Sequence, residues 1–328
     1  MSVRARFAPS PTGSLHLGNA LSAVANRTAG DWMLLRIDDT DAARNVEGGE
    51  EEILRDLEWL GVEWDEGPVR QSERVDRYRE AAAKLGDRFD GVTLVREDGR
   101  PTYHLASVVD DVDFEITHVI RGNDHRPNEQ LHRDLTHALG AEPPEYIHHG
   151  LILGEDGRKL SKREFGATVA SLRDAGIPAQ AVRRYLDELG LPKHDVHYDV
   201  PRIRRLAIEA IAAMTDEELA AAADAPLEVV PALRGARDLA EAHDYARQVL
   251  EPEPVSLGEE ARPTLERFKE LNANGAGPKD VIRELKAVGG DLRMLRLALT
   301  GRERGPELWA IVAALPRDET LRRVDAAL

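Results

Sequence analysis

The chain has 328 residues, 42% of them hydrophobic, with a formal net charge of −16 and no cysteine. That length supports two domains. The missing cysteine excludes disulfides, thiolate zinc sites and cysteine nucleophiles, and the acid excess argues against a chain-wide electrostatic grip on nucleic acid, DNA included.

The first elements alternate strand and helix. Arg4–Ala8 reads as a strand that leads at once into a Pro/Gly turn, which predicts no leader peptide. Leu17–Ala29 reads as a small-residue helix, Trp32–Ile37 as a second strand, and Gly48–Leu60 as an amphipathic helix carrying Ile53, Leu57 and Leu60. Thr117–Arg121 reads as a strand, Glu129–Leu139 as a helix and Ile147–Leu153 as a further strand. On a strand, His148 and His149 would point to opposite sides. This alternation predicts an α/β fold with mostly parallel strands and ligands at their carboxyl ends.

Beyond Pro192 the pattern turns helical: Ile203–Met214, Asp216–Ala223, Leu233–Val249, Gly258–Leu271, Pro278–Ala287 and Glu307–Leu315. Thr215 with Glu218 spells a capping box. The domains are therefore drawn as 1–192 and 193–328, the second an all-α region. Charge also divides unevenly, at about −11 for residues 1–192, −8 for 193–261 and +3 for 262–328, so a polyanion contact outside the active site is expected in the last segment. No run of apolar residues is long enough to span a membrane, which predicts a cytoplasmic protein.

Two segments carry the chemistry. In RFAPSPTGSLHLGN, Arg6–Asn19, the prolines stiffen the exit from the first strand and Gly13 permits a turn. The helix start beyond it offers unpaired N–H groups and a positive dipole end suited to phosphate. His16 there can donate to a phosphate oxygen as charge builds in a transition state, and Gly18 leaves room for close approach. A lone HxG would be a surface loop with a histidine. KLSKR, Lys159–Arg163, places two lysines on a flexible loop where they can neutralise departing phosphates. Taken alone it would be a solvated charge run. The pairing of the two segments points to nucleotide chemistry.

These segments resemble the paired "HIGH" and "KMSKS" signatures of class I aminoacyl-tRNA synthetases of the glutamyl type. RIDDTD at 36–41, WLGVEWDEGP at 59–68, QSERVDRY at 71–78, PTYHLASVVDD at 101–111, ITHVIRGNDH at 116–125 and LRLALTGRERGPEL at 295–308 follow the same order. The resemblance implies a Rossmann-like catalytic domain that forms glutamyl-adenylate from glutamate and ATP, with Mg2+, and passes the glutamyl group to tRNA. It implies an ATP site at Ser10, His16, Gly18, Asn19 and Lys162, with His16, Gly18, Lys159 and Lys162 catalytic. It also implies a glutamate site in which Arg6 and Tyr103 address the side-chain carboxylate. Ser10 and Asp38 would hold the α-amino group, Ser107 would touch the amino acid, and Arg121 would lie near a substrate carboxylate. Ion pairing of Arg121 with Asp124 or Asp111, and capping roles for Asp39 and Asp41, are the structural alternatives.

Three features depart from the family pattern. Asp38 stands where glutamate is usual, and Ser107 where asparagine is usual. The acceptor-binding insertion shrinks to a short stretch near 84–103, where a compact hairpin fits and a separate domain does not. The helical region is also shorter than in bacterial members. A related short enzyme that charges the queuosine base of a tRNA usually carries a cysteine-rich zinc site, which this chain cannot build. The alternative functions are a tRNA-independent adenylate ligase serving a small molecule, carrier protein or modified base, and a binding module on an inactive synthetase.

Overall fold

A computed structural model describes residues 2–158, 160–161 and 164–328, in two compact units: Met1–Asp174 with Val182–Val200, and Ala175–Ala181 with Pro201–Leu328.

The first unit is built on parallel strands. β1 (Arg4–Phe7), β2 (Trp32–Ile37) and β3 (Glu66–Arg70) form one parallel ladder in the order β1-β2-β3. The helices α1 (Leu17–Ala29) and α2 (Gly49–Trp59) make the crossovers, α1 after β1 and α2 after β2. β2 is an almost continuous apolar run with Met33, Leu34, Leu35 and Ile37 all buried, as expected for a strand covered on both faces. Arg36 interrupts that run and is fully buried too. After α3 (Val75–Leu85) comes a two-stranded hairpin, β4 (Arg88–Phe89) and β5 (Val92–Thr93), and then α4 (Tyr103–Asp113). The hairpin turns on Asp90 (φ 46°) and Gly91 (φ 79°), both left-handed, the backbone a two-residue turn of this kind requires.

A second parallel pair, β6 (His118–Gly122) and β7 (Glu145–His149), flanks α5 (Glu129–Ala138). Thr117 seats β6 beside β1: its N–H donates to the Arg4 carbonyl (2.9 Å) and its Oγ1 accepts from the Arg4 N–H (2.9 Å). Tyr78, Leu94, Leu105, Val109 and Leu135 join α3, the hairpin, α4 and α5 in one apolar cluster.

The strand expected at Ile147–Leu153 divides into β7 and β8 (Ile152–Leu153). The division falls at Gly150, whose N–H donates to the Pro192 carbonyl (2.7 Å) and where a Cβ would sit 2.0 Å from the His194 carbonyl oxygen. The chain folds back there, and β8 pairs in parallel with β9 (Val196–His197). Two short helices, α6 (Val169–Asp174) and α7 (Ala179–Leu189), precede β9.

The rest is helical: α8 (Val200–Ala213), α9 (Asp216–Ala222), α10 (Val230–Leu233), α11 (Leu239–Leu250), α12 (Arg262–Ala273), α13 (Pro278–Ala287), α14 (Leu292–Thr300), α15 (Leu308–Ala314) and α16 (Arg317–Ala327). The expected capping box is present, with Thr215 Oγ1 accepting from the Glu218 N–H (3.2 Å) and Glu218 Oε2 from the Thr215 N–H (2.8 Å). The single helix expected over 233–249 is broken, because Asp238 accepts from the Glu241 N–H (2.8 Å) and starts α11 afresh. Ile211, Leu219, Phe268, Leu285, Leu299, Ile311 and Val324 form the core. Arg323 Nη1 donates to Val249 O (2.8 Å) and Leu299 O (2.9 Å), satisfying carbonyls at the ends of α11 and α14.

Candidate active site

The turn after β1 is fixed from α2. Gly13 has φ +96°, a conformation that a side chain would oppose. The Asp56 carboxylate, fully buried on α2, accepts from Ser14 Oγ (2.7 Å), the Leu15 N–H (2.8 Å) and Arg173 Nη1 (2.9 Å). Burial pushes that carboxyl up from its ordinary range, and these donors work against the rise. His16 is the N-cap of α1, and its Nδ1 accepts from the Gly18 N–H at 3.4 Å. The ring proton therefore belongs on Nε2, which lies 2.6 Å from the Leu160 carbonyl. For a phosphate to take that proton, Leu160 must give it up.

The unpaired N–H groups expected at the start of α1 are not found. The Leu17 N–H donates to Ala167 O (2.9 Å), Gly18 to His16 Nδ1, and Asn19 and Ala20 both to His16 O (2.8 and 2.9 Å). The fold closes this helix end with its own carbonyls, leaving the dipole but not free donors. At Gly18 a Cβ would meet only His16 Nδ1, at 3.8 Å, so the chain itself does not demand a glycine there. Asn19 is exposed, and the Ser10 side chain has no hydrogen-bond partner among the described residues. Lys159, Lys162 and Arg163 lie outside the described residues.

The second part of the site lies where β1, β2, α4, β6 and β7 converge. Arg6 on β1 is buried, and its Nε donates to Asp111 Oδ1 on α4 (3.2 Å). Among the described residues its two terminal nitrogens have no hydrogen-bond partner. Arg36 on β2 donates through Nε to Asp38 Oδ1 (2.7 Å), through Nη1 to Asp111 Oδ1 (2.9 Å) and through Nη2 to Ser107 Oγ (3.4 Å), with Asp110 Oδ2 at 3.6 Å. Burial works against the Arg36 cation, but Asp38, Asp111 and Asp110 more than offset it and hold its pKa well above the ordinary value. Burial likewise pushes the Asp38 carboxyl up, and Arg36 pulls it back.

Arg121 on β6 completes the group. Its Nε donates to His148 Nε2 (3.3 Å) and its Nη1 to the Tyr103 hydroxyl (3.3 Å). Nη2 is sealed from solvent with no partner. Neither alternative ion pair, with Asp124 or Asp111, forms within hydrogen-bond reach among the described residues. Arg121 instead looks onto neutral groups. Burial, then the Arg121 charge, pushes His132 down to about 2 and His148 down to about 4. Burial also pushes the Tyr103 hydroxyl up. A buried guanidinium with an unmet donor has the chemistry to pair with an anion.

The structure thus brings Arg6, Asp38, Tyr103, Ser107 and Arg121 together, with His16 and Gly18 on a separate edge. Asp39 is a structural acid, accepting from the Ser72 N–H (2.7 Å) and Oγ (2.6 Å). Arg36, Asp110 and His132 were not singled out from the sequence, and Asp111 only as an alternative partner of Arg121. The available signal was Arg36 inside the apolar run WMLLRI and the pair Asp110 and Asp111 closing LASVVDD. His148 and His149 do part: His149 Nε2 is 2.7 Å from Ser22 Oγ, while His148 faces Arg121.

Comparison with known proteins gives the family. A model described as tRNA synthetases class I (E and Q), catalytic domain, matches residues 2–89 and 86–204, and an anticodon-binding-domain model matches 245–328. The chain is 34% identical to glutamate–tRNA ligase 1 of Rubrobacter xylanophilus across 99% of this chain and 98% of the relative. The chain belongs to the class I glutamyl- and glutaminyl-tRNA synthetase family.

A glutamate–tRNA ligase of Akkermansia muciniphila is 32% identical, with 98% of each chain covered. In fold, the chain matches the crystal structure of a glutamate–tRNA ligase from Elizabethkingia meningosepticum in complex with its amino acid, with a TM-score of 0.75 at 24% identity, covering 100% of this chain and 99% of that one. The family's Rossmann-like α/β catalytic domain and mostly helical C-terminal region are both present. The Rubrobacter alignment runs over 430 positions against the 328 residues here, so the remainder are gaps in this chain. The catalytic match itself breaks at 86–89, where the hairpin stands. Among the described residues no helix is long and apolar enough to cross a membrane.

Proposed function

We propose that this chain is a compact glutamate–tRNA ligase whose amino-acid site is the cluster Arg6, Asp38, Tyr103, Ser107 and Arg121. In the first step the α-carboxylate of glutamate attacks the α-phosphorus of ATP and pyrophosphate leaves. In the second, a ribose hydroxyl of the 3′-terminal adenosine of tRNA attacks the acyl carbon and AMP leaves. The protein forms no covalent intermediate, so positioning and electrostatics supply the acceleration. The observation that carries the reading is Arg121 Nη2, buried and partnerless beside Tyr103. With the terminal nitrogens of Arg6 it would meet the side-chain carboxylate, and Asp38 with Ser10 the ammonium.

His16, Gly18, Asn19 and Ser10 are assigned to ATP, with Lys159 and Lys162 neutralising the leaving phosphates. ATP arrives as its magnesium chelate. Among the described residues no three His, Asp or Glu side chains are disposed to hold a metal ion, and no step is assigned to one. The anticodon-binding match over 245–328 favours tRNA as acceptor over a small molecule or carrier protein. ATP–pyrophosphate exchange with each of the twenty amino acids, with and without tRNA, tests the reading. Exchange specific for glutamate, followed by glutamate-labelled tRNA, is expected. Exchange at background with glutamate would overturn it.

A further inference from the structure

The residues assigned to the two ends of the substrate are joined by a continuous charged ladder. Asp38 accepts from Arg36 Nε (2.7 Å), Arg36 Nη1 donates to Asp111 Oδ1 (2.9 Å), and that same oxygen accepts from Arg6 Nε (3.2 Å). Charges alternate along it, so each link is attractive. All four side chains are nearly sealed, at 8%, 1%, 5% and 6% exposure in the order Asp38, Arg36, Asp111, Arg6. It spans three elements, β1, β2 and α4, and is braced at Arg36. Ser107 Oγ and Asp110 sit against the Arg36 guanidinium (3.4 and 3.6 Å), and Asp110 is held in turn by Arg74 Nε (2.8 Å), Gln71 Nε2 (3.0 Å) and the Tyr78 hydroxyl (2.9 Å). Arg6, Arg36 and Arg74 balance Asp38, Asp110 and Asp111 one for one, which leaves Arg121 as the surplus cation of the cluster.

We infer that Arg36 and Asp111 are positioning residues that fix the separation between Asp38 and Arg6, and so select the chain length of the dicarboxylic amino acid. This rests on the proposed glutamate site. Neither middle residue is placed on the substrate. A planar guanidinium holding two carboxylates through different nitrogens fixes both distance and angle, which a lysine in its place could not do. The selection works through polar ends. Aspartate lacks one methylene, so on a fixed ladder it can meet Asp38 or the Arg6–Arg121 pair but not both. The unmet end is then a buried charged group without a partner, a far stronger rejection than an apolar pocket gives for one methylene. Asp38 and Ser107, two separate departures from the family pattern in the sequence, become one unit because the same guanidinium holds both.

The test is the ratio of kcat/KM for adenylate formation with glutamate, aspartate and 2-aminoadipate, measured by pyrophosphate exchange in the full chain with tRNA present. Wild type should prefer glutamate over both. In Arg36→Lys the glutamate-to-aspartate ratio should fall by about tenfold or more, through KM for the amino acid, with KM for ATP unchanged. Ser107→Ala keeps every charge paired and removes one weak contact of Arg36. It serves as the variant that folds if Arg36→Lys does not, and its ratio should fall by about threefold. Ratios equal to wild type in the folded variants, with all three amino acids slowed alike, would make the ladder purely structural and overturn the inference. Background glutamate exchange in wild type would instead remove the glutamate site itself.

Discussion

Replacing Arg121 with methionine separates function from stability. The guanidinium is buried, its Nη2 has no partner, and burial, the leading cause, lowers its pKa. A partnerless buried donor costs the fold about 1–3 kcal/mol. Arg121 returns part of this through two long hydrogen bonds, to His148 and Tyr103 at 3.3 Å each. At about 0.5–1 kcal/mol apiece these return about 1–2 kcal/mol, so the methionine variant should lie between about 1 kcal/mol less and about 2 kcal/mol more stable. The glutamate carboxylate would meanwhile lose a buried charged partner, worth about 2–5 kcal/mol, or some thirty- to several-thousand-fold in kcat/KM. Urea unfolding without ligand measures the first quantity and glutamate-dependent pyrophosphate exchange the second. A variant that is clearly less stable, with glutamate KM unchanged, would show that Arg121 is a structural cation and refute the reasoning.

Further outcomes follow from the same contacts. Asp38→Glu drives its carboxylate about 1.5 Å, one carbon–carbon bond, further toward a guanidinium already in contact, and Ser107→Asn crowds the same group. Each should lower glutamate activation by less than about tenfold, and the double variant should fall well short of the product; additive losses would show that the two sites do not share Arg36. His132 and His148 are held neutral, with pKa values of about 2 and about 4 against an ordinary 6.5. The unfolded chain therefore binds more protons below pH 6.5, so stability is full above that pH and falls as it drops toward 4. The loss between pH 7 and 5 should be about 2 kcal/mol per histidine. A urea midpoint that drops as far in His132→Gln as in wild type would contradict it. Lys162→Ala should cut pre-steady-state adenylate formation by about a hundredfold with little change in ATP binding; a wild-type rate would reduce Lys162 to a solvated loop residue.

What the sequence revealed divides along physical lines. α1 was legible because its small buried residues repeat at helical spacing, and the Thr215 capping box because both partners lie within one turn. The break between β7 and β8 was not, since it depends on the His194 backbone lying against Gly150, and no local pattern encodes that approach. The occupied N–H groups at the start of α1 escaped for the same reason, as Leu17 finds its acceptor at Ala167. In the site, residue types were readable and pairings were not. Asp38 and Ser107 were visible as isolated oddities, but Arg36 and its partner Asp111 are 75 residues apart in sequence. Its burial shows only once β2 and α4 are packed together.

The hairpin at 88–93 has a consequence for modularity. It closes on itself through its own Asp90–Gly91 turn, while the cluster of Leu94, Leu105 and Tyr78 seals the layer beneath it. Its two strands leave a docking gap only about 5 Å wide, the spacing of a ladder pair. A folded module with termini that close together could be spliced in at the turn without opening the α3–α4 layer, and removed again with equal ease. An insertion at this turn would therefore leave the α3–α4 layer closed.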